Sequence, residues 1–477
     1  MTTVNINESF VAEKALNYAK LSELAYAKWE EQPGGQWTLA TGQKDFVYYS
    51  SLLDSLGEYS VVGYVDKRGE TGYSGTIFRA PDGTLILANR GTEFGLSDTD
   101  LLDLLAADKV GRLRQIPTEQ FRSMADFINS NIGSENFEVT GHSLGGCLAQ
   151  IAKAAYSSQV QEVYTYDALG AYELTQDSNY KYIGPSSTQG KVLISYGSHT
   201  YEWDSSVWQK YCALNFSQID GSKIYNLSGT SDLLSSQGGL DIGGEVFIGG
   251  THSIRDTIEN INIGTTFYVD PRRPVTVIAT NRDEILKGNY DSGHYVTAPS
   301  SVTLVAGYGN DVLWGSDQGD ILYGDLPPEF DEAARNKSGN GSGYAGKDRL
   351  VGGKGNDSLY GGNGYDTYIS YSGDGNDVIS DTDNQGKIIV DFQEIGLGSI
   401  STGNVYRVGT GNIWKDPSGN ITISHDSSWT ISLPDSSTIT LVGNIQDGDF
   451  GINMFDVLKN PTPYKEGVWV VWTGNRD

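Results

Sequence analysis

Apolar side chains recur at helical spacing over residues 10–27 (Ala12, Leu16, Ala19, Tyr26), which predicts a helix there. Short apolar runs follow at Val61–Val65, Thr76–Phe78 and Thr84–Leu87 and read as strands and turns. A second helical pattern covers 118–130 and gives way to the apolar run Phe137–Thr140. Beyond it come a helix from about residue 144, a strand at 162–167, a long segment to about 222 and a strand at Lys223–Leu227. Strands alternating with helices predict an α/β layer fold around a largely parallel sheet. The period changes near residue 266. Helical spacing disappears, short strand-like runs take over, and residues 387–456 alternate in β fashion, as in Asn420–Ser424. The apolar tail Val468–Trp472 reads as a last strand, part of an export signal or an aggregation-prone segment.

Composition narrows the partners. At 477 residues, two or more domains are expected. A net charge of −27 argues against nucleic acid or an anionic membrane as partner. It suits binding of hard cations through carboxylates, and it also keeps a chain in solution. Of the two cysteines, Cys147 reads as a small buried apolar residue, and nothing in the spacing pairs it with Cys212. The start, Met1–Glu8, has no basic n-region followed by an apolar core, so no secretory signal peptide is read there. No apolar run approaches the roughly 20 residues of a membrane span.

The chemistry begins at Gly141-His142-Ser143-Leu144-Gly145-Gly146, directly after Phe137–Thr140. A G-x-S-x-G match alone is weak in a chain this rich in Gly and Ser. Its place between an apolar strand and a helix-forming run makes Ser143 a candidate nucleophile on a tight strand-to-helix turn. A serine hydroxyl needs an imidazole to take its proton and a carboxylate to orient that imidazole. Of the five histidines, His142 adjoins the serine and should point away, and His294 and His425 fall in the repeat-linked half. His199 precedes the favoured acid, the wrong order, which leaves His252 in the Gly-rich loop Gly249–Ile254. Asp232 is the favoured acid, with Asp204 as competitor and Asp167 as a strand-end residue better suited to capping a turn. One oxyanion donor is expected at the Leu144 N–H and a second in the loop Asn89–Thr92. The aromatic, loop-like segment 171–222 serves either as apolar substrate surface or lid, or as a packed insertion over the sheet edge. Asp98, Asp100 and Asp103 read as helix-capping carboxylates rather than a metal cluster.

Arg90-Gly91-Thr92, the segment 141–146, Asp232 and Gly250–Ile254 together resemble the class 3 lipases, a branch of the α/β-hydrolases, over roughly residues 10–262. The resemblance implies an acyl-ester hydrolase, with Thr92 giving the second oxyanion donor. Asp232 and His252 stand closer in sequence than is usual in that family, which keeps Asp204 open as the acid.

The second half repeats G-G-x-G-x-D-x-U-x, with U apolar, most clearly at Gly352–Tyr360. Asp311 and Asp320, and then Asp348, Asp357 and Asp366, are nine apart, and Asp377 follows with a slip in phase. Leu313, Leu322, Leu350, Leu359, Tyr368 and Ile379 hold the apolar position. Glycines let such a turn present its carbonyls, the aspartates add charge, and calcium takes six to eight such oxygens. The candidate calcium residues are Gly307, Gly309, Asp311, Asp320, Asp348, Gly353, Gly355, Asp357, Gly362, Gly364, Asp366 and Asp377. Gln318 stands where a glycine is expected, and residues 326–342 interrupt the stack. The repeats resemble the RTX proteins, which implies a calcium-bound parallel β-roll and one-step type I export by an uncleaved C-terminal signal. The expected architecture is an α/β-hydrolase domain (1–265), a connecting β segment (266–300), an all-β RTX roll (301–386) and a β-rich C-terminal region (387–477). The expected function is a secreted bacterial lipase or phospholipase acting at a lipid–water interface. The rival is a non-enzymatic RTX adhesin or membrane-active toxin with a decayed hydrolase domain.

Overall fold

The computed structural model describes residues 9–91, 115–168, 170–171, 174–219, 221, 223–229, 244–248, 253–263, 266–269, 276–279, 285–288, 301–307, 309–325, 327, 345–395, 404–416 and 420–455. The chain divides into two compact units, one over residues 1–280 and 290–298, the other over 281–289 and 299–477.

In the first unit, Ser60–Lys67, Tyr73–Arg79 and Leu85–Asn89 pair antiparallel. From Leu85–Asn89 onward the sheet turns parallel, through Phe137–His142, Val160–Tyr166, Ile224–Gly229 and Gly244–Ile248 in that spatial order. Thr266–Val269 then closes antiparallel on Gly244–Ile248. A parallel sheet is covered on both faces, so its strands need no polar side. Accordingly every residue of Leu85–Asn89 and of Phe137–His142 is buried. The helix Leu144–Ala155 packs with Thr118–Asn131 into one apolar core that holds Phe121, Met124, Ile128, Leu148 and Ile151. Each such side chain contributes about 1.5–3 kcal/mol by leaving water.

The helix Ala12–Leu24 meets the Phe137–His142 strand through polar groups as well as apolar ones. Lys14 binds Glu138 and Glu162, Tyr18 hydrogen-bonds Glu138, Ser22 hydrogen-bonds Thr140, and Tyr26, just past the helix, hydrogen-bonds His142. Four helical residues rise about 6 Å and two strand residues about 6.6 Å, so a stripe at i+4 can follow a stripe at i+2.

Segment 171–222 differs from its loop-like reading. It folds as an antiparallel sheet of Lys181–Pro185, Lys191–Tyr196 and His199–Asp204, followed by the helix Ser205–Ala213. Trp203 and Tyr211 are buried in the core, and the Tyr211 hydroxyl lies 3.1 Å from that of Thr118. Tyr182 and Ile183 remain more than half exposed. This is a packed layer with an apolar outer edge, and its insides do not resemble an open loop.

In the second unit, successive strands alternate between two sheets. One holds Ile285–Lys287, Val312–Trp314, Arg349–Val351, Asp366–Ser370 and Gly386–Val390, all paired parallel. The other holds Thr303–Gly307, Ile321–Asp325, Ser358–Tyr360, Asn376–Ser380 and Thr438–Val442, again parallel. The repeat's apolar positions align across them, Leu313 with Leu350 and Tyr368, and Leu322 with Leu359 and Ile379, each no more than 2% exposed. Pairing of Val312–Trp314 with Arg349–Val351 carries the stack past the interruption in sequence. The second sheet then continues as antiparallel strands, Trp429–Ser432, Thr422–His425, Ile413–Lys415 and Asn404–Arg407, so it is mixed. The apolar tail Val468–Trp472 lies outside the described residues.

Candidate active site and repeat turns

Ser143 stands between the strand Phe137–His142 and the helix Leu144–Ala155 with φ +56° and ψ −125°. A serine pays about 1–3 kcal/mol for such a backbone, and it persists where the surroundings fix it. Its N–H donates to the Tyr166 carbonyl at 2.9 Å, and its own carbonyl accepts from the Gly146 and Cys147 N–H groups. Leu144 opens the helix, where the first N–H groups have no acceptor within the helix and face the positive end of its dipole.

Two glycines permit this packing. A Cβ on Gly145 would overlap Asn89 O, and one on Gly91 would overlap His142 O and come within 3.2 Å of the Ser143 Cβ. Gly91 therefore packs directly against the serine. Thr92, Asp232 and His252 lie outside the described residues, as do Asp98, Asp100 and Asp103. The elements flanking them are defined. Asp232 follows the strand Ile224–Gly229, and His252 falls between the strand Gly244–Ile248 and the helix Ile254–Ile263. Because these strands run parallel, the loops after residues 89, 142, 229 and 248 leave one edge of the sheet.

Asp204 caps the helix Ser205–Ala213. Its Oδ1 accepts from the Ser206 N–H at 2.8 Å and the Ser206 hydroxyl at 2.6 Å, bonds that hold the carboxyl below its ordinary range. His199 is exposed on the strand before it. Cys147 is buried, Cys212 is exposed, and neither forms a disulfide.

Contacts that the sequence did not reveal lie beside the serine. The Tyr26 hydroxyl meets His142 Nδ1 at 2.9 Å, and the Arg90 guanidinium lies over the Tyr26 ring and donates to the Tyr26 carbonyl at 2.9 Å. Asp167, fully buried with φ +45°, stands 3.9 Å from His142 Nε2. His142 thus faces a polar cluster beneath the strand end. The sequence places Tyr26 in a helical pattern, Arg90 just before Gly91 and Asp167 at a strand end, and no local signal joins them to His142.

The repeat turns have their own geometry. Each aspartate spends Oδ1 on the coil before it: Asp311 N–H donates to Asp348, Asp348 N–H to Asp366, Asp320 N–H to Asp357 and Asp357 N–H to Asp377, all at 2.7–3.1 Å. Oδ2 of Asp357 and of Asp366 is buried and accepts no hydrogen bond among the described residues. Burial pushes both carboxyls up to about 8, and Asp377 up to about 6. A carboxylate oxygen kept dry and unbonded is what a hard cation needs as a ligand. Among the described residues no three His, Cys, Asp or Glu side chains converge. An ion here would therefore take the rest of its oxygens from backbone carbonyls. The glycine pairs that line the turns supply the required chain reversal: Gly353 and Gly355 have φ +93° and +124°, Gly362 and Gly364 have +104° and +126°.

No curated protein matches the chain. Among solved structures it is similar to the Lip2 lipase of Yarrowia lipolytica, at 16% identity over 50% of this chain and 78% of that one, with a TM-score of 0.26. It is similar to a triacylglycerol lipase of Penicillium expansum at 13% identity, over 51% and 83%, with a TM-score of 0.23. Residues 303–326 and 342–379 match the RTX calcium-binding nonapeptide repeat in four copies, so the chain carries RTX calcium-binding repeats.

Proposed function

We propose that the chain is a secreted serine hydrolase of lipid carboxylic esters, with calcium-dependent folding of its repeat unit. The backbone of Ser143, left-handed between a buried strand and a helix N-terminus, carries this reading. In the proposed mechanism Ser143 Oγ attacks the acyl carbonyl. His252 takes the serine proton and returns it to the leaving alcohol, and Asp232 orients the imidazole. The Leu144 N–H and Thr92 hold the oxyanion. Water then repeats the sequence on the acyl-enzyme. A parallel strand order that sends the loops bearing these residues to one sheet edge supports the assignment. The capping bonds of Asp204 favour Asp232 as the acid.

In the repeat unit we assign calcium to a parallel β-roll whose turns hold it through Gly307, Gly309, Asp311, Asp348, Gly353, Gly355, Asp357, Gly362, Gly364, Asp366 and Asp377. Bound there, calcium neutralises carboxylates stacked in a thin core. RTX repeats support export by a type I system to the cell exterior. Fatty-acid release from phosphatidylcholine and from triolein, in calcium, tests the function. Release that vanishes in Ser143→Ala supports it and names the substrate class. A folded chain that releases nothing from either, and does not react with a fluorophosphonate, returns the reading to a non-enzymatic RTX protein.

A further inference from the structure

The repeat turns are not alike. In four of them the second and fourth positions are left-handed glycines: Gly307 and Gly309, Gly353 and Gly355, Gly362 and Gly364, Gly373 and Gly375. Their φ values fall at +93° to +109° and then +124° to +132°. The turn Gly315–Asp320 has Ser316 and Gln318 at those positions, and neither has a positive φ. Its backbone therefore runs a different course.

The difference reaches the carboxylate. Asp320 Oδ1 accepts from the Val302 N–H at 2.7 Å and from the Ser316 hydroxyl at 3.1 Å, and Oδ2 accepts from the Ser316 N–H. The Ser316 hydroxyl in turn accepts from the Gln318 N–H at 3.1 Å. Both oxygens of this buried carboxylate are answered by protein donors, whereas Asp357 and Asp366 each keep a buried oxygen that accepts no hydrogen bond among the described residues. The turn's other carboxylate, Asp317, is paired with Lys354 at 3.1 Å. Burial disfavours the charged form of Asp320, and the bonds from Ser316 and Val302 offset this in part, in the place a cation would otherwise take.

We propose that the turn 315–320 holds no calcium and that Ser316 takes the ion's place on Asp320. The proposal rests on the reading that the other turns bind calcium. Its consequence is one turn, second in the chain, that is closed by protein alone and against which the calcium-dependent turn 352–357 can dock.

The test counts calcium ions bound to the full chain by titration calorimetry after chelation and dialysis. Asp320→Asn is expected to keep the wild-type count and Asp357→Asn to lose at least one ion. Ser316→Gly with Gln318→Gly, which restores the glycine pair, is expected to gain one. A lower count in Asp320→Asn with unchanged circular dichroism in calcium overturns the proposal, as does a wild-type count in the glycine pair. Should Asp320→Asn fail to fold, the wild-type chain crystallised with terbium decides. Anomalous density at 352–357 and 361–366 with none at 315–320 upholds the proposal, and density at 315–320 overturns it. A wild-type chain that binds no calcium at all overturns the calcium reading of the repeats and this proposal with it.

Discussion

At the scale of single residues, the site depends on how closely backbones approach Ser143. Gly91→Ala would press a methyl group against His142 O and the Ser143 Cβ. We expect kcat/KM to fall by about a hundredfold, the cost of misplacing a reacting group by roughly 1 Å, while most of the thermal stability survives. Kinetics beside a melting curve checks this, and equal losses in both would mean a simple packing defect. Tyr26→Phe removes the hydroxyl bonded to His142 and is expected to cost about 0.5–1.5 kcal/mol in chemical denaturation. The strand-to-helix turn at Ser143 was legible in sequence because its constraints are local: a strand, a strained turn and small neighbours within six residues. The contacts of Tyr26, Arg90 and Asp167 were not, because each joins a partner distant in sequence. Tyr26 and His142 are 116 residues apart.

At the scale of elements, the polar stripe of Ala12–Leu24 against Phe137–His142 sets the strand that delivers Ser143. Burial disfavours the Lys14 ammonium, but Glu138 and Glu162 outweigh this and raise its affinity for the proton above that of a free lysine. A cation whose folded pKa is raised stabilises the fold fully below the unfolded value of 10.5 and loses that contribution as pH climbs through the folded value. Lys14→Met should therefore destabilise by about 1–3 kcal/mol at pH 7, leaving two carboxylates without their partner. The deficit should shrink only above pH 10.5, and urea titrations at pH 7 and at pH values above 10.5 would reveal a deficit that does not change. Element type was well read from periodicity where burial was one-sided or complete, as in helices 118–131 and 144–155. The strands of segment 171–222 were not legible, although a packed insertion was one of its two readings, because its hairpin signals are single glycines, Gly190 and Gly197 with φ +79° and +60°, set among aromatic and polar residues with no clean alternation. Asp204 was weighed as a catalytic acid although Asp-Ser-Ser is also a helix start, the role it takes.

At the scale of the whole molecule, calcium should govern stability in the repeat unit and pH should modulate it. With chelator present, Asp357 and Asp366 favour their protonated forms in the folded state up to about pH 8. Carboxyls whose folded pKa is raised stabilise the fold below their unfolded range and lose that contribution as pH rises through the folded value. The metal-free unit should thus unfold more readily at pH 8 than at pH 5, and calcium should reverse the order by taking the place of the protons. Circular dichroism melts at the two pH values, with and without calcium, check this. A metal-free unit that is steadier at pH 8 would contradict it.

The carboxylate bonds between coils also have a direction. In each, the amide of the earlier coil leans on the side chain of the later one, from Val302 to Asp320, from there to Asp357, and on to Asp377. Backbone bonds run the other way, the Ser358 N–H donating to the Asp320 carbonyl and the Val378 N–H to that of Asp357. Removing the last coil therefore strips a carboxylate acceptor from the one before it, whereas trimming the first coil takes a backbone carbonyl and leaves every later carboxylate in place. A chain that leaves a cell with its C-terminal end leading would present each coil with its support already outside, and the unit would assemble in the order in which it emerges.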